Sequence, residues 1–209
     1  MKVLILGAAG SVGQHIVRGG IERGHDLTAL VRSPEKLKAW ESRVRIVKGD
    51  ALDKDALEQA VRGQDASIYA LGTKTIGRTT LFSESTRILI DAMERSKVKR
   101  LVCITGVGAG ETKGHGGFLY DRILFPLITK PVYEDKDVQE GLIQKSSLDW
   151  VLVRPAMFRE GTVSGKLVAV TDVRGVTLTR VSRAEVAAFL LDQLTDDRYL
   201  RKAVFIGHR

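Results

Sequence analysis

The sequence predicts an α/β protein, a single domain built on a doubly wound parallel sheet with helices on both faces. Three observations predict it. Short runs rich in Val, Ile and Leu alternate along the whole chain with stretches of helical period. The runs are apolar almost throughout, which suits strands covered on both faces. The segments between runs are long enough for a crossover helix, which joins parallel strands in a right-handed sense.

Taken in order, the strands are expected at Lys2–Leu6, Asp26–Val31, Val44–Lys48, residues 66–70, 100–105 and 150–154. The first helix, residues 11–23, opens on Ser11-x-x-Gln14, a capping-box spacing, and Gly24 follows it as a terminating glycine. Ser33-Pro34 pairs a cap with a first-turn proline. Asp53 caps a helix over 54–62, which Gly63 stops. The long helix covers 80–96, with Leu81, Ile88, Leu89, Ala92 and Met93 facing inward. Another spans 135–145. A second capping box, Ser182-Arg183-Ala184-Glu185, opens a helix that ends near residue 194. Residues 106–117 hold glycines at 106, 108, 110, 114, 116 and 117 and read as a mobile active-site loop. Residues 156–181 read as an irregular cover with two short strands, and a last strand, 203–206, as an edge.

Composition narrows the function. The 209 residues suffice for one substantial core. No apolar run reaches 18 residues, which argues against a spanning helix. Val3-Leu4-Ile5-Leu6 is cut short by Gly7, too soon for a signal peptide, so the expected location is cytoplasmic. The single cysteine, Cys103, allows no internal disulfide and no zinc spacing, and its apolar neighbours mark it as an inert buried thiol. Net charge is +8, but the cations are scattered, with Lys97-Val98-Lys99-Arg100 the densest cluster. No nucleic-acid motif accompanies them. The charge therefore reads as a solvated surface that favours an anionic cofactor.

The chemistry sits at the first strand–helix junction. In Val3-Leu4-Ile5-Leu6-Gly7-Ala8-Ala9-Gly10-Ser11-Val12-Gly13, glycines recur every three residues. Gly7 permits the tight turn, Gly10 lets the backbone approach a pyrophosphate, and Gly13 lets the helix sit close to the sheet. This is the dinucleotide-binding arrangement of the Rossmann fold, and the helix N-terminus supplies amides to the phosphates. After the second strand, where NAD sites carry an acid, stand Arg32 and Ser33. A guanidinium there binds a 2′-phosphate and points to NADP. Further along, Asp50 and Ala51 after the third strand suit the adenine. Ala70, Leu71 and Gly72 after the fourth suit the adenosine ribose and pyrophosphate.

These residues resemble the atypical short-chain dehydrogenase/reductase superfamily, and within it the NmrA-like and biliverdin reductase B/flavin reductase groups. The resemblance runs over nearly the whole chain. It rests on residues 7–13, on Val31-Arg32-Ser33, on Lys48-Gly49-Asp50-Ala51, and above all on Ser146-Ser147-Leu148-Asp149-Trp150-Val151-Leu152-Val153-Arg154-Pro155. It implies that Pro155, Ala156 and Met157 line the hydride-transfer site. Family members carry Tyr-x-x-x-Lys. Here Lys136 matches the lysine, which also holds the nicotinamide ribose, but Val132 occupies the tyrosine position and Tyr133 comes one residue late. One residue turns a helical side chain by about 100°. Tyr133 is therefore expected to face away from the nicotinamide, with a role as proton donor left open. Thr105, in the place of the family serine, would donate to a substrate carbonyl or to the nicotinamide amide. His115 is an alternative acid, and the 106–117 loop, Phe118, Tyr120 and Phe158 would wall the pocket.

The resemblance implies an NADPH-dependent reductase acting on a planar conjugated acceptor: a flavin, a quinone or a tetrapyrrole. A flavin takes its proton from water, so an imperfect Tyr–Lys pair is compatible with it. The alternative is a redox sensor that binds NADP without turnover. Sugar-nucleotide epimerase chemistry fits less well, because little chain remains for a substrate domain. The size suits a monomer.

Overall fold

The computed structural model describes residues 1–75, 77–115, 117, 122, 130–161, 163 and 165–209. The main sheet begins with β1 (Lys2–Leu6), β2 (Asp26–Val31), β3 (Val44–Lys48), β4 (Ala66–Tyr69), β5 (Arg100–Ile104) and β6 (Asp149–Pro155). After these come β7 (Phe158–Arg159), β8 (Val168–Val170), β9 (Val181–Ser182) and β10 (Lys202–Gly207). The helices are α1 (Gly13–Glu22), α2 (Lys54–Val61), α3 (Leu81–Arg95), α4 (Lys130–Lys145) and α5 (Arg183–Asp192). The eight-stranded sheet runs β3-β2-β1-β4-β5-β6-β10-β8, all parallel except β8. This is the doubly wound Rossmann arrangement.

The central strand shows why its sequence is a continuous apolar run. Val3 and Ile5 pack into one core with Ile16 and Val17 of α1 and Val186 and Leu190 of α5. Leu4 and Leu6 point the other way, into a second core with Leu57 of α2 and Phe82, Leu89 and Met93 of α3. These four residues of β1 are fully buried. Alternation needs one wet face, and this strand has none.

Two expected caps form. The Asp53 carboxylate accepts from the amides of Asp55 and Ala56, and Ser182 with Glu185 closes a reciprocal capping box on α5. The Ser11–Gln14 box does not form. Instead α1 begins at Gly13 with no side-chain cap. The Gly10 amide donates to the Gly7 carbonyl at 2.9 Å and the Gln14 amide to the Gly10 carbonyl at 3.0 Å, so backbone closes the first turn without Ser11. The fourth helix starts at Lys130 rather than residue 135, which puts Pro131 in its first turn, where a missing amide costs nothing. The last strand is not an edge. β10 lies between β6 and β8, and β8 takes the edge. The rest of the 156–181 stretch holds the two-stranded β7–β9 sheet. No helix among the described residues is long and apolar enough to cross a membrane.

Candidate functional site

Strands β1 to β6 run the same way, so their carboxyl ends meet along one edge. Ligands of such sheets bind there. Gly7 leaves β1 with φ +87, and a Cβ on it would collide with the carbonyl of Ala70 beyond β4. A Cβ on Gly13 would run into the Gly7 carbonyl, so α1 can start this close to the strand only with glycine there. Gly10 differs from both. Its Cβ would meet one neighbour, the Gly7 carbonyl at 3.1 Å, and otherwise open space. The uncapped start of α1 presents its amides and the positive end of its dipole at this turn. Ser11 is exposed, Ala9 half-buried and Val12 buried around it. Across the cleft Ala70 is buried, Leu71 half-buried and Gly72 exposed, with nothing within 4 Å of a Cβ on Gly72. The result is a cradle floored by backbone, of a kind that fits a pyrophosphate.

The adenosine end follows the sheet outward. The Arg32 side chain is 78% exposed and lies 3.7 Å from the Asp50 carboxylate, a loose pair that a phosphate can displace. The other Asp50 oxygen accepts from the Leu52 amide at 2.9 Å. Ser33 precedes the short 3₁₀ helix Pro34–Trp40 but makes no side-chain cap, and Ala51 is half-buried beside it all. Gly49 serves packing instead: a Cβ there would press on Ala56 of α2.

At the other end stands α4. Because the helix begins at Lys130, Tyr133 lies within it, three residues before Lys136. Positions i and i+3 share a face as well as i and i+4 do. The one-residue offset therefore does not turn Tyr133 away. Its hydroxyl abuts Gly106 at the end of β5, where a Cβ would strike it. Lys136 is buried and donates to the Thr105 carbonyl at 2.9 Å, with its ammonium 4.4 Å from the centre of the Phe82 ring. Burial pulls its pKa down to about 8, against the opposing charges of Glu140 and Asp135.

Thr105 has a different partner from the expected one. Its hydroxyl donates to Glu140 Oε1 at 2.6 Å. With that hydrogen committed, Thr105 can only accept from a ligand, so donation to a substrate carbonyl is ruled out in this geometry. Pro155 and Ala156 are buried, and their backbone is engaged: the Val107 amide donates to the Pro155 carbonyl at 2.9 Å, and the Ala156 amide to Ile206 at 2.8 Å. Met157 and Phe158 are exposed just beyond. His115 donates through Nδ1 to the Val176 carbonyl at 2.8 Å, tying the glycine-rich loop to the covering segment. Phe118 and Tyr120 lie outside the described residues. Cys103 is buried, and burial pushes its thiol pKa far up, so it stays protonated.

Tyr133→Phe keeps the ring against Gly106 and removes the hydroxyl. In the NADPH-dependent flavin reduction that the sequence leads one to expect, this variant should stay within about threefold of the parent, since water can protonate a flavin; stopped-flow absorbance checks this. A drop of about a hundredfold would make Tyr133 the proton donor.

Several residues that build this end escape a reading of sequence. Glu140 and Arg154 form a buried two-pronged pair, Nε to Oε1 at 3.0 Å and Nη2 to Oε2 at 2.6 Å. Arg154 Nη1 reaches Glu111 at 2.6 Å and holds its carboxyl below the usual range. Asp135 accepts from the amides of Phe82 and Ser83 at 2.8 and 3.3 Å, capping α3 from outside. Gln139 donates to Thr86 at 2.9 Å. One signal was available: residues 135, 136, 139 and 140 recur at helical spacing and are all polar, while α4 offers few apolar residues to dock it.

Three comparisons bear on this geometry. The family model described as NAD(P)H-binding matches residues 7–197. The uncharacterized protein YwnB of Bacillus subtilis is 30% identical over 205 residues, covering 93% of this chain and 92% of that protein. Photosystem II assembly factor Ycf39 of Synechocystis is 27% identical over 185 residues, 86% of this chain; the match spans about half, 52%, of that longer protein. Among solved structures, the anaerobillin reductase ChuY of Escherichia coli O157:H7 superposes with a TM-score of 0.83 at 20% identity, over 100% of this chain and 97% of that one, a likeness of fold.

Proposed function

Since the chain belongs to the NAD(P)H-binding family, within the atypical short-chain dehydrogenase/reductase superfamily, we propose that it is a reductase. It takes hydride from NADPH and passes it to a planar conjugated acceptor, a flavin, a quinone or a linear tetrapyrrole. The observation that carries this reading is the glycine-floored cradle at Gly7, Gly10 and Gly13, with an exposed arginine where an NAD site would keep an acid. NADPH supplies the hydride, and the protein supplies orientation and a dry pocket. Arg32 and Ser33 hold the 2′-phosphate, Asp50 and Ala51 the adenine, and Ala9, Ser11, Val12, Ala70, Leu71 and Gly72 the pyrophosphate and its riboses. Lys136, Tyr133, Thr105, Pro155, Ala156 and Met157 surround the nicotinamide.

The acceptor class is supported by how the described donors at this end are committed. The Thr105 hydrogen is given to Glu140, and Lys136 gives one to the Thr105 carbonyl. Among the described residues, Thr105 therefore has no hydrogen left with which to polarise a simple carbonyl. A conjugated acceptor spreads the incoming charge over its own rings and needs less help.

NADPH oxidation with FMN, riboflavin, a quinone and biliverdin as separate acceptors, and NADH in parallel, tests the reading. Turnover with one acceptor and a preference for NADPH is the expected result. Arg32→Glu should weaken NADPH by about 10- to 150-fold, the 1.5–3 kcal/mol of a hydrogen bond to a charged group, and leave NADH within about threefold. Equal loss of both cofactors would remove the 2′-phosphate role. The same committed hydrogen bonds also favour a second reading, a redox sensor that binds NADP without turnover. A protein that NADP stabilises against heat but that consumes no NADPH with any acceptor would establish it.

A further inference from the structure

We propose that Asp137 and Glu111 are positioning residues that hold residues 106–113 as a preformed roof over the acceptor. This deepens the reductase reading and rests on it. A segment with glycines at 106, 108 and 110 has much backbone freedom to lose on adopting one shape. This one is tied at each step. The Gly110 amide donates to Asp137 Oδ1 at 3.0 Å, and Lys113 donates to Asp137 Oδ2 at 2.6 Å. Arg154 donates to Glu111 at 2.6 Å. Within the loop the Gly108 amide donates to the Thr112 hydroxyl at 3.0 Å, and that hydroxyl donates to the Ala109 carbonyl at 2.6 Å.

The side-chain ties lead to one helix, directly or through Arg154, while the Val107 amide is held by the Pro155 carbonyl of β6. Asp137 is the neighbour of Lys136 on α4. Arg154 is clamped by Glu140, one turn further along α4, and its guanidinium lies so close beneath Gly110 that a Cβ there would strike it. The Tyr133 hydroxyl meets the loop where it leaves β5. Helix and loop therefore form one piece, with the hydride end between them.

The two carboxylates are placed as ties rather than as core. The Glu111 side chain is 75% exposed, yet it is bonded to a guanidinium that is 4% exposed. Ordering the roof in advance spares a planar acceptor the entropy of ordering it on binding. Residues 106–113 are thus tied by hydrogen bonds that their glycine content does not suggest.

Fluorescence titration of riboflavin into the NADP-saturated protein tests this at equilibrium. Asp137→Ala and Glu111→Ala should each raise the riboflavin Kd about tenfold, while the NADP Kd stays within about twofold. Glu111→Gln keeps an oxygen that accepts from Arg154 and should return the riboflavin Kd to within about threefold of the parent. Unchanged riboflavin affinity in both alanine variants, NADP affinity lost in step with it, or no riboflavin binding by the parent would each overturn the proposal. A parent protein that shows this pattern of affinities but oxidises no NADPH would sink the reductase reading and leave the roof standing.

Discussion

Gly10→Val should cost the protein both NADPH and NADH, more than about a hundredfold in each Kd, or ~2.7 kcal/mol, with the melting temperature held within a few degrees. The two halves of this expectation come from the same geometry. A Cβ at position 10 meets only the Gly7 carbonyl, at 3.1 Å, a tight contact that a shift of a few tenths of an ångström relieves. The valine methyls then stand in the space over the start of α1 where a pyrophosphate must approach the backbone. Calorimetric titration with each cofactor and a thermal melt of the free protein measure the two halves separately. Retained affinity would mean that the glycine pattern serves only the turn. Gly13→Ala is a poorer probe, because its methyl would meet the Gly7 carbonyl and displace α1 outright.

Glu140→Ala should be the most destabilising single change at the hydride end. It leaves the Arg154 guanidinium buried with only Glu111 to answer it, and it orphans the Thr105 hydroxyl. Removing one partner of a buried ion pair costs about 3–5 kcal/mol, whereas replacing both by apolar groups is often neutral. For a chain of this size that corresponds to a fall in melting temperature of about 6–20 °C. The double variant Glu140→Leu with Arg154→Met should regain part of the loss. A fall of under about 2 °C in the single variant would mean that α4 is held in place by other means.

The sheet was legible because its physics is local. Val3 to Leu6 are apolar in sequence for the same reason that they are buried: helices cover both sides. Glycine spacing at 7, 10 and 13 could be read directly, since each requirement concerns one backbone position. Arg32 stands out in the sequence because it occupies a place where another residue type is expected. The polar frame under the hydride end was not legible. Glu140 meets Arg154 across 14 residues and Arg154 meets Glu111 across 43, and no local pattern marks such partners. The Tyr133 offset misled for a simpler reason. Its consequence depended on where α4 begins, and boundaries are the weakest product of periodicity. Ser11 shows the converse: a fitting cap spacing, made idle by a backbone turn that fills the same role.

The place of β10 also bears on how the chain is made. β6 must keep one side open until Lys202–Gly207 arrives to pair with Val151–Pro155. At 5–20 residues per second, the fifty or so residues between them take a ribosome about 3–10 s. For that interval an apolar parallel strand has one edge open along its length, the condition in which strand edges recruit other chains. Truncation ahead of residue 202 would make this state permanent. The Lys202–Gly207 segment, far in sequence from the residues proposed to hold the cofactor, is thus the one that closes this edge in the newly made chain.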